Sequence, residues 1–330
     1  MSAPSVPTLD QASDLVSGKQ RAVRSQRGPW RNAMGRLARN KMAMFGFGII
    51  VLFAFAGLFG GTIAPHDPLK QDLYAIQAGP TTDHWFGTDE LGRDLFSRVL
   101  TGSRTALLVA TLVTFIAAGL GTVIGLVSAY VGGLVDTAFM RFADLLLAFP
   151  AFLLAAFINS TLRRPYEDLL GWFADKTGAD FLVSKSFVDF TLIFGALALI
   201  SWSGYSRLIR GQVLSLREQE FVEAARSIGA STRIILFRHI LPNSFAPIVV
   251  AVSVNFGNAI LAESALSYLG VGIQPPTPSW GQMISANLDQ WRYSPHLVIA
   301  PGAALALLIL AFNFFGDGVA DALNPRRGTK

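Results

Sequence analysis

EAARSIGASTRIILFRHILPN, Glu223 to Asn243, is a basic, alanine-rich strip with one glycine inside it and one proline near its end. Strongly apolar segments flank it on both sides. Each flank approaches the ~20 residues needed to cross ~30 Å of hydrocarbon as a helix. The strip therefore reads as a polar loop between two membrane spans, and the rest of the chain can be placed relative to it.

Composition agrees. Of 330 residues, 52% are hydrophobic and 15% charged, against ~25% charged in an ordinary soluble domain. Mean hydropathy is +0.44, and apolar runs recur along the whole chain, which makes it a polytopic bundle of helices. There are no cysteines, which excludes disulfides and thiolate metal sites. The four histidines, His66, His84, His239 and His296, are scattered with no ligand-like spacing. A net charge of +5 could suggest nucleic acid, but the bases lie beside apolar segments, where a topology signal accounts for them; no nucleic-acid partner is expected.

The expected spans are 43–64, 105–130, 134–159, 188–210, 245–268 and 297–319. Six spans put both termini on one side. Residues 1–42 carry Lys19, Arg21, Arg24, Arg27, Arg31, Arg36, Arg39 and Lys41 against Asp10 and Asp14, a cytoplasmic tail by the positive-inside rule. Its Ser, Pro and Gln content predicts disorder to about Arg27, followed by an interfacial helix over Trp30–Lys41. The first apolar run begins near Ala43, too far in for a cleaved signal, so it reads as a retained span. Arg326, Arg327 and Lys330 of the 326–330 tail fall on the same side, and so do Arg226, Arg233 and Arg238 of the opening strip. The domain plan is tail 1–42, first span and extracytoplasmic segment 43–104, and a core 105–325 that includes the loop 218–243. The segment 160–187 reads as an insertion forming a short amphipathic helix on the outer face.

Three features of the spans call for packing explanations. Asp136, Arg141 and Asp144 open the third span, where an unpaired charge costs ~2.5–3.5 kcal/mol, so they belong at its cytoplasmic boundary or facing the bundle interior. Pro150 should bend that span. Gly57 with Gly61, and Gly121 with Gly125, have the spacing that lets helix backbones approach closely, although glycine is common in membrane helices in any case.

No GxxxxGK[ST] occurs, so ATP, if it drives transport, must bind another chain. HExxH, GxSxG and paired carboxylates within a span are absent too, which leaves an intramembrane hydrolase nothing to work with and points to a non-catalytic subunit. The acids near late spans, Glu263, Asp317 and Asp321, lie toward span ends, which weakens an ion-coupled carrier.

Within the strip, Glu218 to Ser227 predicts a helix ended by Gly229, and Ser231 or Thr232 caps a second helix running through Arg238. Pro242 stops it, and Asn243 or Ser244 caps the fifth span. The paired alanines leave a shallow face on which another protein's groove could close; an ordinary amphipathic interfacial loop has the same composition.

The pattern Glu223-Ala224-Ala225, Gly229, Leu241-Pro242 resembles the EAA loop of the membrane subunits of bacterial ATP-binding-cassette importers. The family pattern prefers isoleucine ten residues after the glycine; here His239 stands there, followed by Ile240. That departure resembles the Arg238 to Asn243 ending of the dipeptide/oligopeptide/nickel permease group. Gly87 to Arg98 (GTDELGRDLFSR), Glu263 to Ile284 and Asn313 to Arg326 are similar to other segments of its C-type subunit.

The resemblance implies an all-α type I importer permease fold with six transmembrane helices in the bacterial inner membrane. It implies four partners: a homologous permease in a heterodimer, two ATPases that bind ATP and Mg, and an extracytoplasmic binding protein. No cofactor is expected on this chain. It assigns ATPase coupling to Glu223, Ala224, Ala225, Arg226, Gly229, Ala230, Arg238, Leu241 and Pro242, and peptides as cargo. Nickel or glutathione import by the same family, or a stand-alone ion-coupled peptide carrier, are the alternatives. Asp89, Glu90, Arg93 and Asp94 are expected on a short amphipathic helix, either docking the binding protein or forming an internally paired elbow.

Overall fold

The computed structural model describes residues 29–324; the expected disorder up to Arg27 and the tail 326–330 lie outside them. Ten helices follow one another: α1 Pro29–Arg39, α2 Lys41–Ile63, α3 Leu95–Val131, α4 Gly133–Ala148, α5 Ala151–Thr177, α6 Lys185–Leu216, α7 Glu220–Ser227, α8 Thr232–Tyr268, α9 Trp280–Ala286 and α10 His296–Leu323. Among the described residues there is no strand, only one isolated bridge between Thr88 and Asp94. Five helices (α2, α3, α6, α8 and α10) are long and apolar enough to cross a membrane, and the bent pair α4–α5 makes a sixth crossing if taken as one span. Their outward faces expose large apolar side chains, among them Leu58 and Leu134 at 78% and 88%. Water would penalise such a surface and hydrocarbon does not.

α3 and α6 form the central pair. A Cβ on Gly121 would lie 2.4 Å from Tyr205 Cβ and 2.6 Å from the Trp202 carbonyl; one on Gly125 would lie 2.6 Å from the Ser206 carbonyl. These two glycines therefore let the helices touch backbone to backbone. The Gly57–Gly61 pair behaves differently: Gly57 faces Arg104 of α3 at 3.1 Å, while Gly61 meets nothing within 4 Å. At one end of the bundle Trp280 is fully buried and donates from Nε1 to the Val99 carbonyl at 3.0 Å, so α9 is pinned onto α3. That end, which holds residues 64–94 and α9, is the elbow end; the opposite end holds α7 and is the loop end.

The third span differs from expectation. α4 and α5 meet at Phe149–Pro150 with a 94° bend. Proline cannot supply the N–H that would continue the ladder, and the bend expected at Pro150 is sharp enough to end α4 and start a new helix. α5 then runs on to Thr177 with Pro165 inside it, so 160–187 forms no separate short helix: its first part continues α5, and a short 3₁₀ turn, Asp180–Val183, leads into α6. Two acids of α4, Asp136 in its first turn and Asp144 in its second half, are paired with α6. Arg210 grips Asp136 with Nε and Nη2 at 2.7 and 2.6 Å, Ser128 of α3 adds a third hydrogen bond at 2.5 Å, and Arg207 pairs with Asp144. Three helices are thereby tied at the loop end.

The other boundaries move less. α3 begins at Leu95, ten residues before the expected 105, and its 37 residues span ~55 Å, well beyond a bilayer core. α1 forms where a helix was expected after the tail, with Trp30 meeting Phe245 of α8 edge-on at 5.6 Å.

Candidate functional site

Helix α7 has eight residues and two kinds of face. Val222 and Ala225 are buried and pack with Leu126 and Ala129 of α3, Ile209 and Val213 of α6, and Ile235, Leu236 and Ile240 of α8. A helix this short is not stable alone, so tertiary packing holds it. It closes with two bonds of a Schellman motif: Gly229 N–H to the Arg226 carbonyl at 2.9 Å, and Ala230 N–H to the Ala225 carbonyl at 3.0 Å. Gly229 has φ +81°, the left-handed conformation that glycine adopts without cost, and nothing stands within 4 Å of its missing Cβ. Ala230 caps the cluster from outside.

The opposite face is free. Glu223, Ala224, Arg226 and Arg238 are exposed, and Arg226, Arg233 and Arg238 form no ion pair among the described residues. Between them stand Phe221, Ile228, Ile234 and Phe237, exposed by 39%, 85%, 46% and 62%. The two alanines expected to form one docking surface therefore part company. Ala224 faces out while Ala225 is buried against the long helices, because neighbours in sequence lie ~100° apart on a helix.

Pro242 does not stop the chain. α8 runs without interruption from Thr232 to Tyr268. Its segment Ile235–Ile240 is wound as a π-helix, with Leu241 N–H donating to the Leu236 carbonyl. The wider turn gives the proline ring room where an α-turn would push it into a carbonyl. Asn243 and Ser244, expected as caps, donate instead to the carbonyls of His239 and Ile240 at 2.6 and 3.0 Å. Leu241 is half-buried against the α7 cluster and Pro242 is exposed. Ser231 stands at the N-cap in extended conformation without a side-chain cap bond. The result is a strip that is rigid with respect to α3, α6 and α8 and bare on its outer side.

The second charged stretch, at the elbow end, forms a knot and not the expected amphipathic helix. Asp89 Oδ1 accepts the backbone N–H groups of Leu91 and Arg93, both at 3.0 Å, and Oδ2 faces Arg93 Nε at 2.8 Å and Arg98 Nε at 3.3 Å. Asp94 caps α3 through the N–H and hydroxyl of Ser97 at 2.8 and 2.6 Å. Asp89, Arg93 and Asp94 are 3%, 4% and 2% exposed. Their side chains are turned inward; Glu90, half-buried, is the one member of the four that reaches the surface. The geometry is that of the internally paired elbow.

Sequence reasoning named no pathway residues. A cavity of about 190 Å³ opens between α3, α5, α6 and α8. Its polar lining is Thr114, Ser201, Tyr205, Asn255 and Asn258, with small apolar residues between. The Thr114 hydroxyl is buried with no hydrogen-bond partner, and Asn255 Nδ2 is spent on the Ala251 carbonyl at 2.9 Å. The lining holds neutral donors and acceptors and no acid, Lys or Arg. The only signal in the sequence was amides and hydroxyls within apolar runs, which resemble ordinary helix packing.

Residues 121–329 match the family described as the binding-protein-dependent transport system inner membrane component. Residues 28–80 match the N-terminal TM domain of oligopeptide transport permease C. Among curated relatives, the dipeptide transport system permease protein DppC of Alkalihalophilus pseudofirmus is 37% identical over 298 residues, 90% of each chain. The glutathione transport system permease protein GsiD of Escherichia coli and that of Shigella sonnei are each 38% identical over 301 residues, 91% of each chain. The matches reach across the packed strip, the elbow and the bundle that joins them. This chain belongs to the inner-membrane permease components of binding-protein-dependent ABC importers.

Proposed function

We propose that the chain is one of two non-identical permease subunits of an importer of short peptides, with its loop end in the cytoplasm. In this reading α7 and the start of α8 dock on one of two ATPase subunits, which bind the ATP and Mg. The observation that carries it is the two-sided loop: an inner face locked onto α3, α6 and α8 together, and an outer face left apolar, cationic and unpaired. A push on the outer face moves three spanning helices as one body. Transport needs two global states biased differently by nucleotide and by the loaded binding protein, and this surface is where nucleotide would act.

Peptide as cargo is supported by the relatives named for dipeptide and glutathione transport and by the neutral hydrogen-bonding cavity, which suits amide groups. Nickel is poorly served by that lining, since amides and hydroxyls are weak ligands for it. An ion-coupled carrier would need ionisable groups near the midplane, and the cavity lining supplies no carboxylate.

The test is reconstitution of the chain with its neighbouring permease, ATPases and binding protein in liposomes, with labelled di- and tripeptides. ATP-dependent uptake that fails without the ATPases is expected. Uptake by the chain alone under a proton gradient would overturn the reading.

A further inference from the structure

The elbow holds a second cluster, which shares Asp94 with the knot and adds two histidines that neither the knot nor the cavity uses. His66, just past α2, and His84, in the loop before α3, stack with ring centroids 4.6 Å apart. Both turn Nδ1 toward one oxygen of Asp94: His84 Nδ1 lies 2.9 Å and His66 Nδ1 3.8 Å from Oδ1. The Asp94 side chain is 1% exposed, and its Oδ2 is occupied by Ser97, which fixes Oδ1 facing the two imidazoles. His66 Nδ1 is buried with no hydrogen-bond partner. On the far side of both rings, the Asp83 carboxylate reaches His66 Nε2 at 3.5 Å and His84 Nε2 at 3.8 Å.

We propose that His66, His84 and Asp94 bind a divalent transition-metal ion, Zn²⁺ in the first place. The ligands are the two Nδ1 atoms and Asp94 Oδ1, and water takes the fourth position. Tetrahedral zinc with bonds of ~2.0–2.2 Å separates neighbouring ligand atoms by about 3.3–3.5 Å. The observed 2.9 and 3.8 Å bracket that edge, and one ligand atom from each residue lies within 4.8 Å of the others. A hydrogen-bonded His84–Asp94 pair without an ion would account for His84 but leaves His66 Nδ1 facing the same oxygen unpartnered. Asp83 stands where an outer carboxylate holds metal-ligating histidines in the Nε2–H tautomer. Imidazole donors select zinc, copper or nickel over magnesium or calcium. The ion would staple three segments that are separate in sequence: the exit from α2, the loop at His84 and the start of α3.

The experiment uses the full-length chain, tag removed, assembled with its partner subunits in nanodiscs. Zn²⁺ is titrated against a chromophoric chelator, and Co²⁺ is added in parallel to read its visible absorption. Expected are one Zn²⁺ per chain, tetrahedral Co²⁺ bands, and no competition from millimolar Mg²⁺. His66→Ala, which leaves the Asp94 cap in place, should abolish both signals while the complex stays assembled. Asp83→Asn should weaken binding by roughly 10–100-fold, the range for loss of an outer partner. Absence of stoichiometric binding to the assembled wild type, competition by Mg²⁺, or unchanged binding by His66→Ala would overturn the site.

Discussion

At the elbow, Asp89, Arg93 and Asp94 are each under 5% exposed; Asp89 is bound to Arg93, Arg98 and backbone N–H groups, and Asp94 to Ser97 and His84. At the loop, Glu223, Arg226 and Arg238 lie on the surface, and none joins an ion pair among the described residues. Both stretches are short, charged and glycine-containing, and both interrupt apolar spans, so composition alone makes them equivalent. The structure separates them by where the charge is spent. At the elbow it maintains the fold. At the loop it is held in reserve for something outside the chain, and the scaffold beneath is apolar.

The sharpest way to break this contrast is Asp89→Ala. It strands Arg93 and Arg98 without their shared carboxylate, and removing one partner of a buried pair costs ~3–5 kcal/mol. We expect loss of monodisperse protein in detergent or a large fall in melting temperature. Arg238→Ala at the loop should leave both unchanged. If the two variants melted alike, the division between a structural elbow and a free loop would fall.

Next in size is Gly121→Val on the central helix pair. Its side chain has Tyr205 Cβ and the Trp202 carbonyl in the way, so α3 and α6 must separate, at about 1–3 kcal/mol for overpacking. Gly61→Val, with open space around it, should change stability by no more than ~0.5 kcal/mol. Thermal melts of the pair test whether the α3–α6 contact rigidly links the two ends.

These comparisons mark how far the sequence could be read. Apolar runs placed five of the six crossings, because hydrocarbon imposes a length that needs no partner, while the third is a pair of helices bent by 94°. Gly229 was readable as a helix end because the left-handed conformation is a local demand. What escaped was non-local. The ladder Asp136–Arg210 and Asp144–Arg207 joins residues more than sixty positions apart, which local spacing could not pair. Pro242 was misread as a stop because a π-turn ending two residues earlier makes room for it. The knot at Asp89 has the i, i+4 charge pair of a helix, but folds as a turn, with Asp89 also accepting backbone N–H groups and facing Arg98. In the loop, chain neighbours Ala224 and Ala225 were grouped although helix geometry points them apart.

Gly229→Val carries the comparison into the loop itself. No atom obstructs the new side chain, so its cost is conformational: a β-branched residue held at φ +81° loses roughly 1–2 kcal/mol. The bundle's own contacts are untouched, and we expect the variant to insert and to assemble with its permease partner. The junction between α7 and α8 would shift, and ATP hydrolysis stimulated by the loaded binding protein should drop toward the unstimulated rate. Normal transport by this variant would sink the coupling assignment.

The smallest expected effect on stability is also the most discriminating. Ala224→Glu adds a carboxylate to an exposed position, so the melting temperature should shift by no more than ~0.5 kcal/mol would produce. Ala225→Glu, one residue on, drives the same group into the cluster of Leu126, Ile209 and Ile235, where a carboxylate has no partner and must be desolvated. If the free face is where the ATPase sits, Ala224→Glu loses copurification of the ATPase from an otherwise stable permease, whereas Ala225→Glu loses the permease first. An Ala224→Glu variant that keeps its ATPase at wild-type stoichiometry would move the docking surface off α7, toward Ile228 just past its end and Ile234 and Phe237 on the first turns of α8, which are also exposed apolar side chains.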